Sequence, residues 1–189
     1  LQELAVIFLD TVGFFSTILE QRQNWIAARN ASMRNLEFPY GGFRLGQRDM
    51  AVSVYRAVAD ERQLIIEAPT GIGKTMATLY PSIKAMESSA ASRVFYLSAK
   101  TSTQALAQIA LKDLTVAGGS LRSIVITSKE KICFSPGHPC HPDHCEYAKG
   151  YYDQIQDTID TLLGETEHFD RSTIEFAARR DRICPFELS

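Results

Sequence analysis

The chain has 189 residues, 45% of them apolar and 22% charged, with a net charge of −2. That is room for one substantial α/β domain with a small insertion. The charge balance neither demands nor forbids nucleic acid, because a motor needs a basic track and not a basic total. No apolar run approaches the roughly 20 residues that span a bilayer, so no membrane partner is expected. The stretch from Leu4 to Phe15 is broken by Asp10 and lacks a basic lead-in, which argues against a signal peptide and for a cytoplasmic setting. The first residue is Leu1 and not Met, so a piece of a longer protein is expected.

In chain order, Leu4, Ile7, Phe8, Val12, Phe15 and Leu19 recur near helical spacing, and Trp25 to Leu36 continues with mixed polarity. Residues 1–37 are read as a helical segment, without chemistry of its own, ending an upstream region. Phe38-Pro39-Tyr40-Gly41-Gly42-Phe43 forbids a continuous helix. A helix is expected over Arg44–Ala59, with Met50, Val54 and Ala57 on one side. Short strands then alternate with helices: strand 63–67, helix Lys74–Ala90, strand 93–98, helix Thr101–Val116, strand 123–127. Strands separated by helical crossovers imply a parallel sheet covered on both faces. The expected fold class is therefore α/β, a RecA-like P-loop NTPase, with residues 38–128 forming its first part. Residues 129–189 interrupt that pattern as an inserted subdomain, with helices expected over 151–163 and 172–180.

The loop between the first strand and the next helix is Glu67-Ala68-Pro69-Thr70-Gly71-Ile72-Gly73-Lys74-Thr75. It satisfies the P-loop pattern, with Ala68 where a Gly is usual. Gly71 and Gly73 permit a tight turn in which successive N–H groups face a phosphate. The following helix presents its positive end to the same oxygens. Lys74 then reaches the β- and γ-phosphates, and the Thr75 hydroxyl is a Mg²⁺ ligand. Ala68, Pro69, Thr70 and Ile72 complete the cradle. A Rossmann dinucleotide site is disfavoured, because no third Gly follows Gly71-Ile72-Gly73. ATP or GTP is the expected ligand.

Four cysteines, Cys133, Cys140, Cys145 and Cys184, fall in the last third of the chain. Their concentration in one polar, Pro- and His-rich segment suits metal ligation better than a disulfide framework or core thiols. Four thiolates hold either zinc or an iron–sulfur cluster. His138, His141 and His144 are interleaved with them, so a mixed Cys/His zinc site stays open on chemistry alone. There is no Cys-x-x-Cys knuckle, and the long reach to Cys184-Pro185 is compatible with a cluster whose last ligand closes a subdomain.

The loop from Ala68 to Thr75 resembles motif I of superfamily two helicases. Upstream, Phe38-Pro39-Tyr40 and Arg44-Leu45-Gly46-Gln47 are similar to the adenine-reading Q motif of the XPD/DinG-like iron–sulfur helicases. That resemblance makes Gln47 the adenine reader, with an amide offering both a donor and an acceptor, and Tyr40 a stacking candidate. Tyr96-Leu97-Ser98-Ala99-Lys100-Thr101 looks like motif Ia, which touches the DNA backbone. The run from Thr127 to Cys133, and Tyr147 to Tyr152, look like the cluster-flanking stretches of the bacterial members. The resemblance spans about residues 38–189. It implies a [4Fe–4S] cluster on the four cysteines in place of zinc, pinning a subdomain too small to build its own core. It further implies single-stranded or forked DNA as partner, 5′ to 3′ movement and a DNA-repair setting. Lys129, Lys131, Arg179, Arg180 and Arg182 would then rim the cluster with positive charge along a single strand.

Hydrolysis also needs a Walker B acid at the end of a further strand. Asp60-Glu61 precedes the P-loop strand and does not qualify. The expectation is thus an ATP-dependent DNA helicase of which this chain is a fragment, inactive alone, with an upstream nuclease-like or other domain in the parent. The competing readings are a zinc-containing P-loop ATPase and a nucleic-acid-binding module without unwinding activity.

Overall fold

The computed structural model describes residues 2–89 and 91–189. The chain divides into two compact units, residues 1–120 and 121–189.

The described residues of the first unit include four helices, α1 (Gln2–Asn35), α2 (Gln47–Ala59), α3 (Lys74–Ala85) and α4 (Thr101–Val116). α2 and α4 both pack on α3, and α1 touches it. Each contributes apolar residues three and four apart, the spacing of one helical face. Met50, Ala51 and Val54 of α2, Met76, Ala77, Leu79 and Ile83 of α3, and Ala107, Ala110 and Leu114 of α4 are buried. α1 is anchored by its C-terminal end. Met33 and Leu36 are buried there, and the Arg29 guanidinium donates to Asn30 Oδ1 and to the Ser92 carbonyl. Leu4 to Thr17 and Leu19, by contrast, stay exposed. Apolar residues lie all round this part of the helix, so no single stripe exists for one neighbour to cover.

The expected break after α1 is an aromatic knot. Phe38 stacks on Phe43 with ring centroids 3.9 Å apart, and the Tyr80 ring meets Phe38 edge-on at 5.4 Å. Lys84 Nζ closes the same corner by donating to the Leu36 carbonyl at 2.7 Å. α3 is shorter than its pattern suggested. It ends at Ala85 and passes into turns over 86–89, while Ala90 lies outside the described residues.

The sheet departs most from expectation. Residues 63–67 and 93–98 form no ladder among the described residues. Ile65 is 99% and Leu97 90% exposed. A strand exists only when a second segment lies about 4.8 Å away to accept its hydrogen bonds, and strand-forming side chains alone do not supply one. The sheet that is present has two parallel strands, both in the second unit. β1 (Ser123–Ile124) pairs with β2 (His168–Phe169), Ser123 opposite His168 and Ile124 opposite Phe169. β1 lies inside the expected strand 123–127. β2 falls between the two helices expected over 151–163 and 172–180.

Between and after these strands run α5 (Lys129–Ile132), α6 (Tyr151–Glu165), α7 (Arg171–Asp181) and α8 (Pro185–Leu188). Ile132, Leu162, Phe169, Ile174 and Ala177 form the core of this unit, with Leu163, Phe186 and Leu188 packed against it. Asp170 starts α7 by accepting from the Thr173 amide at 2.9 Å, a side-chain cap for one of the orphan donors of the first turn. Arg182 ends it in the left-handed region at φ 52°. That reversal buries Ile183 and sends the chain to Cys184. No helix among the described residues is long and apolar enough to cross a membrane.

Candidate functional site

The phosphate loop lies in the first unit and feeds directly into α3. Gly71 and Gly73 have φ of 86° and 84°, where any side chain would be strained. Gly73 carries a second constraint: a Cβ there would collide with the Gln47 side-chain amide. Lys74 is the first residue of α3, and its ammonium donates to the Ala68 and Pro69 carbonyls at 2.7 and 2.6 Å. The carbonyl of Gly71 accepts from Arg44 Nη1 at 2.6 Å, and that of Gly73 from Gln47 Nε2 at 3.2 Å. The backbone amides of residues 70–76 donate to no other described group. Tied carbonyls beside free N–H groups at a helix N-terminus are the kind of arrangement in which an anion can be held. Thr75 is half-buried in the first turn of α3, next to Lys74.

Gln47, the residue assigned to adenine on resemblance, is 3% exposed. Its Oε1 accepts from the Arg44 amide at 3.0 Å while its Nε2 serves Gly73, so both amide functions are occupied by the backbone. Tyr40, the stacking candidate, is 49% exposed. Its hydroxyl donates to Asp113 Oδ2 of α4 at 2.7 Å, and this hydrogen bond to a carboxylate raises the phenol pKa. Neither Arg44 nor Asp113 stood out as functional in the sequence. Arg44 is one turn before Gln47, and only the fold brings Gly71 to it. In the motif Ia stretch, Ser98 Oγ accepts from the Lys100 amide and donates to the Lys100 carbonyl. Lys100 is the exposed N-cap residue of α4.

All four cysteines line one cavity of about 350 Å³ in the second unit. Cys133 closes α5, Cys140 and Cys145 come from the loop after it, and Cys184 precedes α8. Of the three interleaved histidines, His138 shares the lining, whereas His141 lies 3.3 Å from Asp143. Among the described residues no three His, Cys, Asp or Glu side chains gather closely enough to hold a single metal ion. The thiols surround the space without meeting at a point. The Lys129 ammonium lies beside Cys140, with Cys133 and Cys184 nearby, and these sulfurs, Cys140 foremost, raise its pKa. Tyr151, also on the lining, donates to the Glu187 carbonyl at 2.9 Å. Burial, with Glu187 and Cys184 close, pushes its phenol up to about 12.

The expected basic rim is only partly available. Arg180 is bound to Glu165 at 2.9 Å and Asp181 at 2.8 Å. Arg179 instead sits over the Phe134 ring, 4.0 Å from its centroid. Lys129 lies beside the thiols, while Lys131 and Arg182 are exposed.

A Gly-rich anion loop opening a helix is shared by many nucleotide-binding proteins, so comparison with known proteins narrows the choice. Residues 48–134 match the family model of the DEAD/DEAH box helicases. That stretch is similar to helicase sequence. The match takes in α2, the phosphate loop, α3, α4 and the first cysteine, and implies a P-loop NTPase fold. The chain is also similar to a probable ATP-dependent helicase of Methanocaldococcus jannaschii, 31% identical over 114 residues. The alignment covers 60% of this chain and 17% of that protein, so the chain spans about a sixth of its relative's length. No solved structure matches.

Proposed function

We propose that this chain is the nucleotide-binding part of an ATP-dependent DNA helicase of the iron–sulfur, XPD/DinG-like type, acting 5′ to 3′ on single-stranded or forked DNA. The observation that carries the reading is the phosphate loop, with its carbonyls tied back and its amides free at the head of α3, inside the stretch that matches the DEAD/DEAH box helicase model. In this role Lys74 leaves the Ala68 and Pro69 carbonyls for the β- and γ-phosphates, while the amides of Gly71 to Thr75 hold the β-phosphate. The Thr75 hydroxyl would hold Mg²⁺, which neutralises charge on the β- and γ-oxygens when bound. Tyr40 lies on the adenine side of this reading, and Lys100 on the DNA side.

In the same proposal Cys133, Cys140, Cys145 and Cys184 hold a [4Fe–4S] cluster. Structural zinc asks four donors to converge at about 2.0–2.3 Å from one point. In a cluster each iron takes its own cysteine, so thiolates spread around a cavity of about 350 Å³ suit it better. The bound cluster supplies a covalent cross-link between α5, the loop and α8. The protein supplies four thiolates and a compensating ammonium at Lys129.

Two measurements test the two halves. Calorimetry of the purified chain with Mg–ATP should show binding that Lys74→Ala weakens by about ten- to a hundredfold, the worth of a charge-assisted phosphate contact. No Mg–ATP affinity in the intact protein would end the helicase reading. Anaerobic metal analysis should find about four irons with matching acid-labile sulfide, and a single zinc in their place would end the cluster reading alone.

A further inference from the structure

We propose that the first half of α1 is a self-association surface, which pairs antiparallel with the same segment of a second copy of this chain.

α1 is held to the rest of its unit near its C-terminal end, through Arg29, Met33 and Leu36. Toward its start, Leu4, Phe8, Val12, Phe15 and Leu19 are each between 44% and 68% exposed. At about 100° of rotation per residue these five share one side with Thr11, while Glu3, Asp10 and Glu20 point away from it. Thr11 does not break the seam. Its hydroxyl donates to the Ile7 carbonyl at 2.7 Å, so the donor stays satisfied when water is removed.

The order of residues along the seam selects its occupant. Leu4 stands as far before the Thr11–Val12 peptide as Leu19 stands after it, and Phe8 as far before as Phe15 after. A two-fold interface asks for this property, since residue i meets j while j meets i. Two antiparallel copies crossing at residues 11 and 12 set Leu4 against Leu19 and Phe8 against Phe15, twice over. The packed ends of the two helices, from Trp25 onward, then point apart. At roughly 90 Å² for each half-exposed large apolar side chain, the seam with its flanks Ile7 and Phe14 offers about 600 Å² per copy. The pair would bury about 1,200 Å², the lower end of what a specific, stable interface needs. Val6 and Leu9 lie outside the seam and stay in solvent.

Sedimentation velocity on the full chain tests the pairing. Over about 1–100 µM it should show a monomer–dimer equilibrium with a micromolar Kd, as suits an interface of this size. Phe8→Glu and Phe15→Lys should each weaken the dimer by about thirtyfold or more, the loss expected for a central aromatic anchor. Both side chains are exposed in the single copy, so neither change should disturb its fold, and far-ultraviolet circular dichroism checks this. The double variant Phe8→Glu, Phe15→Lys should regain much of the loss, because antiparallel pairing sets each new carboxylate opposite the other copy's new ammonium. Val6→Glu, off the seam, should leave the Kd within about twofold. A chain that stays monomeric throughout would leave the seam to a different partner and overturn the proposal. So would a dimer indifferent to Phe8→Glu, or one that Val6→Glu weakens as much. A double variant weaker than either single one would mark a parallel pair and overturn it equally.

Discussion

Gly73 shows how much a single position carries. Its backbone is left-handed at φ 84°, and the Gln47 amide lies where a Cβ would stand. Gly73→Ala should therefore cost about 1–3 kcal/mol in urea denaturation, strain in the left-handed region and displacement of Gln47 together, and weaken Mg–ATP in parallel. Tyr151 makes a prediction of a different kind. Its phenol titrates near 12 in the fold, against an ordinary value of 10. A group whose folded pKa is raised contributes stability that is complete below its unfolded value and lost as pH climbs through the folded one. The urea midpoint should thus fall between about pH 10 and 12, and Tyr151→Phe should show a smaller fall across that window. The need for glycine at 73 was legible as a P-loop position. The collision with Gln47 was not, because 26 residues of chain separate them.

At the scale of elements, helices were read more reliably than strands. α4 has the bounds its pattern implied, and α6 and α7 lie within two residues of theirs. Helical hydrogen bonds run within one segment, so local sequence carries most of the information. Strand pairing is a relation between segments. Residues 63–67 and 93–98 have strand composition, yet no described neighbour completes a ladder with them. The join between α6 and α7 is likewise tertiary. Asp181 accepts from Arg180 and from Thr158 of α6, and these contacts, Arg180 first, hold its carboxyl below the usual range. A depressed carboxylate stabilises the fold above its unfolded pKa, and that contribution is lost as pH falls through the folded value. Asp181→Asn should cost about 1 kcal/mol at pH 7, a modest figure because the pair is partly solvated. Its urea midpoint should also fall less steeply than the parent's on acidification below about pH 4.

For the molecule as a whole, the second unit has few large apolar residues in its core, and units of this size lean on an added cross-link. Whatever binds the folded form alone raises its stability by mass action. Reconstitution with iron and sulfide should raise the melting temperature of the transition belonging to residues 121–189 and leave that of residues 1–120 in place. Cys145→Ser should abolish the rise. Differential scanning calorimetry of loaded and unloaded protein separates the two. Equal melting with and without iron would count against a cluster on these thiols.

The sequence by itself determined the Gly-rich turn at Gly71 and Gly73 that opens α3, the helices that follow their own periodicity, and the set of four cysteines. These depend on residues near one another in the chain, or on side-chain chemistry that composition announces. Only the tertiary structure decided that Gln47 and Arg44 face the loop, that Lys129 lies beside Cys140, that Arg180 is spent on carboxylates, and that 168–169 pairs with 123–124. The physical reason is that hydrogen bonds and ion pairs between distant residues exist only once packing has brought them together. No local pattern records which partner packing selects.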